Sequence, residues 1–217
     1  MKSGGSRPPV EIKICGITNL PDALESLKSG ADALGFNFFP GSKRYVEFET
    51  ARSWITQLPA GIQKVAVVVK PTWEDAMKLA RSGIFDFLQL HGGESPEFCR
   101  KLADQGIGFV KVLPMNDESS LAQPSAFSTN RVLLDSATVE GFGGTGRTFP
   151  WSLARRFIDA HPELQVGLAG GLTAENVAEA IAAVRPNGID VTTGVEAAVG
   201  RKDPARLRAF ISATRAA

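Results

Sequence analysis

The sequence predicts a single α/β domain, a (β/α)8 barrel built on a parallel eight-stranded core. Short apolar runs rich in Val, Ile, Leu and Phe alternate with segments of helical periodicity, and eight such units follow one another along 217 residues. Runs that are apolar throughout are typical of parallel strands buried on both faces. A doubly wound sheet usually has fewer strands and carries its nucleotide loop after the first one. The barrel is therefore the better fit.

The eight candidate strands are spaced evenly along the chain, and a helical pattern follows each one. In order they are EIKICGI from residue 11, ALGFNFF from 33, QKVAVVV from 63, DFLQL from 86, GFVKVL from 108, RVLLD from 131, QVGLAG from 165 and GIDVTT from 188.

The segments between the strands have the spacing of amphipathic helices, as in residues 177–184, where apolar side chains recur at i, i+3, i+4 and i+7. Thr173 is predicted to cap that helix at its N-terminus. Gly30 and Gly83 follow other helical patterns at the place of a left-handed C-terminal cap. The segment around Pro124 is the exception, because proline interrupts a full-length helix.

Composition limits the function classes. Residues 10–217 are predicted to form the barrel, and residues 1–9 a flexible tail that lacks the apolar centre of a secretory signal. Lys and Arg number 24 against 23 Asp and Glu, so the basic footprint of a nucleic-acid-binding protein is missing. No apolar run has the length of a membrane helix. We expect a cytoplasmic protein without nucleic-acid or membrane partners.

Two cysteines are too few for a disulfide framework and too isolated for the paired ligands of a zinc site. Cys99 lies in a helical pattern and is predicted to be structural. Cys15 ends the first strand, where barrel enzymes carry catalytic groups. Alternation along the strand places Lys13 on the same face, where its charge would favour the thiolate. By the same alternation, Asp190 of the eighth strand is predicted to contact Lys13.

Four more polar residues lie at or after predicted strand ends: Arg44, Gln89, His91 and Asp135. Asp135 closes the run RVLLD, and a carboxylate there is costly to bury without a partner or a task. Partial burial would favour its protonated form, as a general acid requires. Arg44 is either a solvated loop charge or a clamp for an anionic group. His91 is either a strand-end hydrogen bonder or a substrate contact.

Three glycine loops are predicted at the same barrel end: GGTG at 143–146, AGG at 169–171 and TTG at 192–194. A single pair of glycines often marks only a tight turn. Three such loops can present backbone N–H groups to a phosphate, which barrels commonly bind after strands seven and eight. The candidate phosphate-binding residues are Gly144, Thr145, Gly146, Gly170, Gly171, Thr193 and Gly194.

The motifs KICGIT, LGFNFFPGSKRYV, LQLHG, VLLDS…GGTGRTFPW, LAGGLTAENV and DVTTGVE…GRKD resemble those of the phosphoribosylanthranilate isomerase family. The resemblance runs from residue 11 to about residue 203. It implies a (β/α)8 isomerase of L-tryptophan biosynthesis that uses neither metal nor cofactor. The implied reaction is the Amadori rearrangement of N-(5-phosphoribosyl)anthranilate to 1-(2-carboxyphenylamino)-1-deoxyribulose 5-phosphate.

The resemblance also assigns roles to residues. Cys15 matches the family's general base, Asp135 its general acid, and Arg44 the arginine that faces the anthranilate part, with Gln89 and His91 as further substrate contacts. The glycine loops match its phosphate contacts. The implied partner is a small phosphosugar, and the chain is expected to be a monomer or a homodimer.

The sequence departs from the family pattern at three places: SKR replaces SPR, GRTFPW replaces GKTFDW, and VTTG replaces VSSG. The first change removes a proline next to Arg44, which predicts a looser loop. The second keeps a cation as Arg147 but loses an acid at Pro150. The third keeps the hydroxyl groups and the glycine.

Two alternative functions fit part of the pattern. Another phosphosugar barrel, such as a histidine-pathway isomerase or indole-glycerol-phosphate synthase, shares the glycine loops, and one fold hosts many chemistries. Those relatives rely on paired aspartates or on lysine and glutamates, so Cys15 argues against them. A sensor that only binds a phosphometabolite would keep the loops but has no use for a thiol together with a carboxylate.

Overall fold

The computed structural model of the chain describes residues 9–115, 124–136 and 149–217. The tail over residues 1–8 and the predicted phosphate residues Gly144, Thr145 and Gly146 lie outside these ranges.

Eight parallel strands form a closed barrel in chain order, as the sequence predicts. The last strand pairs with the first, with Glu11 opposite Gly188 and Ile14 opposite Val191. The strands are β1 (Glu11–Ile14), β2 (Ala33–Asn37), β3 (Gln63–Val68), β4 (Phe87–Leu90), β5 (Phe109–Pro114), β6 (Arg131–Asp135), β7 (Gln165–Leu168) and β8 (Gly188–Val191).

Seven α-helices lie between and after these strands in the part of the chain that is described. They are α1 (Leu20–Ser29), α2 (Phe48–Ile55), α3 (Trp73–Ala80), α4 (Pro96–Asp104), α5 (Trp151–Ala160), α6 (Val177–Val184) and α7 (Pro204–Ala216). Between β5 and β6 the described residues form only a 3-10 helix, Pro124–Phe127, in keeping with the interruption expected at this proline.

The side chains of β1 show how the barrel separates two environments. Ile12 and Ile14 are fully buried in the core that also contains Phe157 and Phe210 of the surrounding helices. Lys13 and Cys15 point the opposite way, because successive side chains alternate across a strand. The strand therefore contributes apolar contacts outside the barrel and polar groups inside it.

Predicted helix ends are only partly correct. Gly30 forms the left-handed cap of α1 with φ +106°. Gly83 also has a positive φ, +72°, but α3 ends earlier, with Arg81 at its cap. The prediction for Thr173 is wrong, because α6 begins at Val177 after a turn in which the Thr173 carbonyl accepts the N–H of Val177.

A short antiparallel hairpin follows β8 and has no counterpart in the predicted strands. A 3-10 helix, Thr193–Val195, leads into β9 (Glu196–Ala198), which pairs with β10 (Arg201–Lys202) before α7 begins. Within the described residues, no helix is both long and apolar enough to cross a membrane.

Candidate functional site

One cavity at the carboxyl ends of the barrel strands collects the predicted site residues. Its lining includes all of them that the structure describes except Gly194, namely Cys15, Arg44, Gln89, His91, Asp135, Gly170, Gly171 and Thr193. Strand ends and loops from around the whole barrel contribute, so barrel closure assembles the site.

The Cys15 backbone is held on both sides. Its N–H donates to the Val191 carbonyl at 2.9 Å, and its carbonyl accepts from Lys202 Nζ at 2.6 Å. Gly35 on the neighbouring strand leaves room for the thiol, since a Cβ there would lie 2.8 Å from Cys15 Sγ and 2.7 Å from Lys13 Nζ. The thiol and the Lys13 ammonium therefore share one small space.

The predicted contact between Lys13 and Asp190 is confirmed, with Lys13 Nζ 2.8 Å from Asp190 Oδ2. Burial lowers the pKa of Lys13, but the Asp190 carboxylate and Cys15 outweigh that effect, and the net pKa is raised. Lys13 is therefore a permanent cation beside the thiol at neutral pH.

Asp135 ends β6 with its side chain 9% exposed. Its Oδ1 accepts from the Ser136 N–H at 2.7 Å, and its Oδ2 lies 3.2 Å from His91 Nε2. His91 Nδ1 in turn lies 3.4 Å from Gln89 Nε2. These contacts orient Asp135, and they show that His91 meets the candidate acid at a strand end while also lining the cavity.

Arg44 is fixed by a carboxylate that the sequence analysis did not single out. Its Nε and Nη2 donate to the two carboxylate oxygens of Glu196 at 2.8 and 2.6 Å. Its loop is also held by the Ser42 hydroxyl, which accepts the Arg44 N–H at 3.1 Å. Arg44 is thus held in a buried ion pair and is no solvated loop charge.

Lys202 completes this cluster behind the cavity wall. Its side chain is 1% exposed, and its Nζ donates to the carbonyls of Cys15 and Thr192 and to Glu196 Oε1. Burial lowers the pKa of Lys202, partly offset by Glu196. Burial raises the pKa of Glu196, but Arg44 and Lys202 outweigh it and the net pKa is lowered.

Glu196 and Lys202 were missed although both fall within the motif DVTTGVE…GRKD. The available signal was a carboxylate and a lysine in a glycine-bounded segment between β8 and α7. Neither ends a barrel strand, so the criterion that found Cys15 and Asp135 passed over them.

The glycine loop after β7 has an unusual backbone. Gly170 and Gly171 have φ of +89° and +63°, a region that favours glycine. A Cβ on Gly170 would also lie 2.9 Å from the Ser136 nitrogen. Among the described residues, none accepts a hydrogen bond from the backbone N–H of Gly170, Gly171, Thr193 or Gly194. Gly170, Gly171 and Thr193 line the cavity, so their N–H groups are the candidate donors to a ligand.

Gly194 is the predicted site residue that does not line the cavity. A Cβ at this position would overlap the Leu172 carbonyl, so close packing between the loops after β7 and β8 requires glycine here. No group of three or more His, Cys, Asp or Glu side chains in the described ranges is placed to hold a metal ion.

The fold and the cavity define a class of protein. A thiol beside a fixed cation and a hydrogen-bonded carboxyl group are suited to proton transfer. The N–H groups of Gly170, Gly171 and Thr193, which have no acceptor within the described ranges, are suited to an anion. The arrangement is that of a (β/α)8 barrel enzyme performing acid/base chemistry on a phosphorylated substrate.

Comparison with known proteins identifies the family. The family model described as N-(5'phosphoribosyl)anthranilate (PRA) isomerase matches residues 12–213. An N-(5'-phosphoribosyl)anthranilate isomerase from Pelobacter propionicus is 44% identical over 202 residues, covering 93% of this chain and 94% of the relative. This chain belongs to that family. It is an isomerase of tryptophan biosynthesis, and the activity and fold class predicted from the sequence are confirmed.

Solved structures agree. The crystal structure of phosphoribosyl anthranilate isomerase from Thermotoga maritima has a TM-score of 0.86 and 40% identity, and the match covers 96% of this chain and all of that one (100%). Another structure of such an isomerase, with a TM-score of 0.83 and 38% identity, contains reduced 1-(o-carboxyphenylamino)-1-deoxyribulose 5-phosphate. This match covers 96% of this chain and 100% of the other chain.

Proposed function

We propose that this chain rearranges N-(5'-phosphoribosyl)anthranilate to 1-(2-carboxyphenylamino)-1-deoxyribulose 5-phosphate, with Cys15 as general base and Asp135 as general acid. The observation that carries these roles is that both groups line one cavity in opposite electrostatic settings. Lys13, whose pKa is raised, lies next to the thiol. Among the described residues, the Asp135 carboxyl group instead contacts the Ser136 N–H and His91. Different environments are what an acid and a base in one site require.

Asp135 acts first in this mechanism. The Ser136 N–H donates to Oδ1, and in this mechanism the transferred proton is carried on Oδ2, the oxygen nearer His91. Asp135 delivers that proton to the furanose ring oxygen, the bond from C1 to this oxygen breaks, and the sugar opens to a Schiff base. His91, 3.2 Å from Oδ2, keeps the carboxyl group turned toward the cavity.

Cys15 acts second. As a thiolate it removes the proton from C2, and the electron pair of that C–H bond moves toward C1 to give an enolamine. Tautomerisation to the ketone adds one proton at C1 and removes one from the C2 hydroxyl, so both groups can return to their starting states. Protons and electrons are redistributed within the substrate, and neither an oxidant nor a metal or cofactor is needed.

The substrate's charged ends match the two sides of the cavity. The phosphate is bound by the N–H groups of Gly170, Gly171, Thr193 and Gly194, which have no acceptor among the described residues, together with Gly144, Thr145 and Gly146 beyond them. Arg44 binds the anthranilate carboxylate through its planar guanidinium. Gln89 and His91 also line the cavity.

The test is turnover of phosphoribosylanthranilate, followed by its fluorescence without added metal or cofactor. Wild type is expected to consume the substrate. Cys15→Ser and Asp135→Asn are expected to lose at least about 100-fold in kcat, as for loss of a positioned acid or base, while binding of a phosphosugar ligand persists. Retention of activity in Cys15→Ser contradicts the assignment of the base, and retention in Asp135→Asn contradicts that of the acid.

We propose further that the enzyme acts in the cytoplasm, as expected for a step of amino-acid biosynthesis, and that it is a monomer or a homodimer. A relative from Thermotoga maritima is described as dimeric. Light scattering coupled to size-exclusion chromatography measures the mass in solution, and a larger assembly would contradict the proposal.

A further inference from the structure

Arg44 leaves part of its guanidinium unused. The group has five N–H donors, and hydrogen bonds between described residues engage two of them, both with Glu196. The Glu196 carboxylate approaches one edge of the guanidinium plane, through Nε and Nη2. The remaining donors lie along the other edge, and Arg44 lines the cavity. Glu196 therefore leaves room for a second carboxylate.

The pair is almost out of contact with water. The side chains of Arg44 and Glu196 are 12% and 5% exposed. Holding a flexible arginine in one orientation usually costs side-chain entropy when a ligand binds. Here that cost is met on folding, and the guanidinium is already in place.

Lys202 connects this pair to the catalytic strand. A lysine has three N–H donors, and those of Lys202 go to Glu196 Oε1 at 3.3 Å, to the Thr192 carbonyl at 3.3 Å and to the Cys15 carbonyl at 2.6 Å. One buried ammonium group thus contacts both the carboxylate that holds Arg44 and the backbone of the proposed base.

The charges of the cluster favour an anionic guest. Two cations, Arg44 and Lys202, face one anion, Glu196, so the sum is +1. The Glu196 carboxylate remains ionised because its pKa is lowered by its two cationic partners despite burial. Of these three residues, Arg44 is the one that lines the cavity.

We propose that Glu196 and Lys202 are positioning residues: Glu196 presents the open edge of Arg44 to the substrate carboxylate, and Lys202 fixes the distance between that binding group and Cys15. The inference rests on the proposed function and adds to it. Its consequence is that the hairpin β9–β10, outside the ring of barrel strands, determines recognition of the carboxylate.

The decisive experiment pairs two substrates. N-(5-phosphoribosyl)aniline lacks the carboxylate but keeps the sugar, the phosphate and the reacting atoms. Glu196→Gln is expected to lower kcat/KM for phosphoribosylanthranilate by about 10-fold or more, mostly through KM, because the lost interaction is made in ground state and transition state alike. For the aniline analogue kcat/KM is expected to stay within about 3-fold of wild type.

Two variants accompany this comparison. Glu25→Gln is the matched control, because Glu25 also pairs with an arginine, Arg208 at 2.8 Å, but on the outer surface. Glu25→Gln is expected to leave kcat/KM unchanged for both substrates. Lys202→Met is expected to lower kcat for both substrates, because it releases the Cys15 carbonyl. If Glu196→Gln does not fold, Glu196→Asp takes its place. It keeps the negative charge on a side chain one methylene shorter, and its loss of kcat/KM for phosphoribosylanthranilate is expected to be intermediate.

Failure of the positioning role and failure of the proposed function give different results. Equal losses for both substrates in Glu196→Gln, or no loss in either, overturn the positioning role. A wild-type enzyme that turns over neither substrate contradicts the proposed function itself. An intermediate Glu196→Asp with no difference between the substrates also overturns the positioning role.

Discussion

The reactivity of Cys15 depends on what shares its face of β1. Alternation along the strand puts Lys13 beside the thiol, and the ion pair with Asp190 at 2.8 Å keeps that lysine charged. Gly35 supplies the space in which the two groups meet. Gly35, two positions before the end of β2, therefore makes room for the proposed base and its neighbouring cation.

Gly35→Ala tests this residue-scale account. The added methyl group would lie within 3 Å of both Lys13 Nζ and Cys15 Sγ, so the thiol must move. A misplacement of about 1 Å can cost about 100-fold in rate, and we expect kcat to fall by about 10- to 100-fold. Gly188→Ala is the control, because its methyl group would meet the Glu11 carbonyl at the other end of the barrel. Equal kcat in Gly35→Ala and wild type would contradict the account.

Asp190→Asn tests the buried ion pair. Removing one partner of such a pair typically costs about 3–5 kcal/mol, measurable as a lower free energy of unfolding in urea. Burial then acts on Lys13 without its counter-ion, and its pKa falls below the value in the unfolded chain. Between the two pKa values the unfolded variant binds more protons than the folded variant. The free energy of unfolding of the variant therefore rises with pH through the neutral and alkaline range.

The wild type behaves differently in the same titration. The pKa of its Lys13 is raised, so the pair's contribution is complete below the ordinary lysine pKa of about 10.4 and is lost only when pH rises through the folded value. Asp190→Asn combined with Lys13→Met is expected to recover part of the stability. Parallel pH dependence in wild type and Asp190→Asn would contradict this reading.

Some residue contacts were predictable and others were not. The pair of Lys13 and Asp190 follows from period-two alternation and from the closing of strand eight against strand one. The pair of Arg44 and Glu196 joins a loop to the first residue of β9, 152 positions along the chain, and no periodicity relates two such distant positions. The sequence therefore indicates that Arg44 carries a useful charge but not what orients it.

At the scale of elements, α5 illustrates the effect of a departure from the family pattern. Its N-cap is Pro150, which provides no side-chain hydrogen bond to the first turn. The family's usual aspartate at this place would be a favourable cap, since a carboxylate can accept from the free N–H groups there. The change thus removes a side-chain cap and introduces the fixed φ of proline.

We expect Pro150→Asp to be more stable than Pro150→Ala by about 1 kcal/mol, the usual worth of an N-cap. Comparing the two variants cancels the loss of proline's effect on the unfolded chain. Thermal or urea unfolding measures the difference, and kcat/KM reports on any effect in the nearby site. Identical stability of the two variants would show that the first turn of α5 gains nothing from a cap.

The elements themselves were largely readable, and their ends were not. All eight strands were predicted because apolar runs of this length have few other interpretations beside helical patterns. The start of α6 was misplaced, since Thr173 has the chemistry of a cap but the chain first makes a turn ending at Asn176. The residue type of Thr173 suggests an N-cap, but the loop after β7 continues to Asn176, and the helix begins only after it.

At the scale of the whole molecule, barrel closure builds the active site. Cys15 directly follows β1 and Asp135 ends β6 on another part of the ring, and the N–H of Cys15 is held by Val191 of the last strand. Polar groups fill the inside of the barrel at its catalytic end, and apolar residues fill the shell between strands and helices. The site therefore exists only when the first and last strands have paired.

The proposed mechanism of this closed barrel depends above all on Cys15 as its proton-abstracting base. The direct measurement is the single-turnover rate of phosphoribosylanthranilate with Cys15→Ser, next to Cys99→Ser, whose thiol is fully buried in α4. We predict a rate at least about 100-fold lower for Cys15→Ser and a rate within about 3-fold of wild type for Cys99→Ser. A Cys15→Ser rate equal to that of Cys99→Ser would contradict the account.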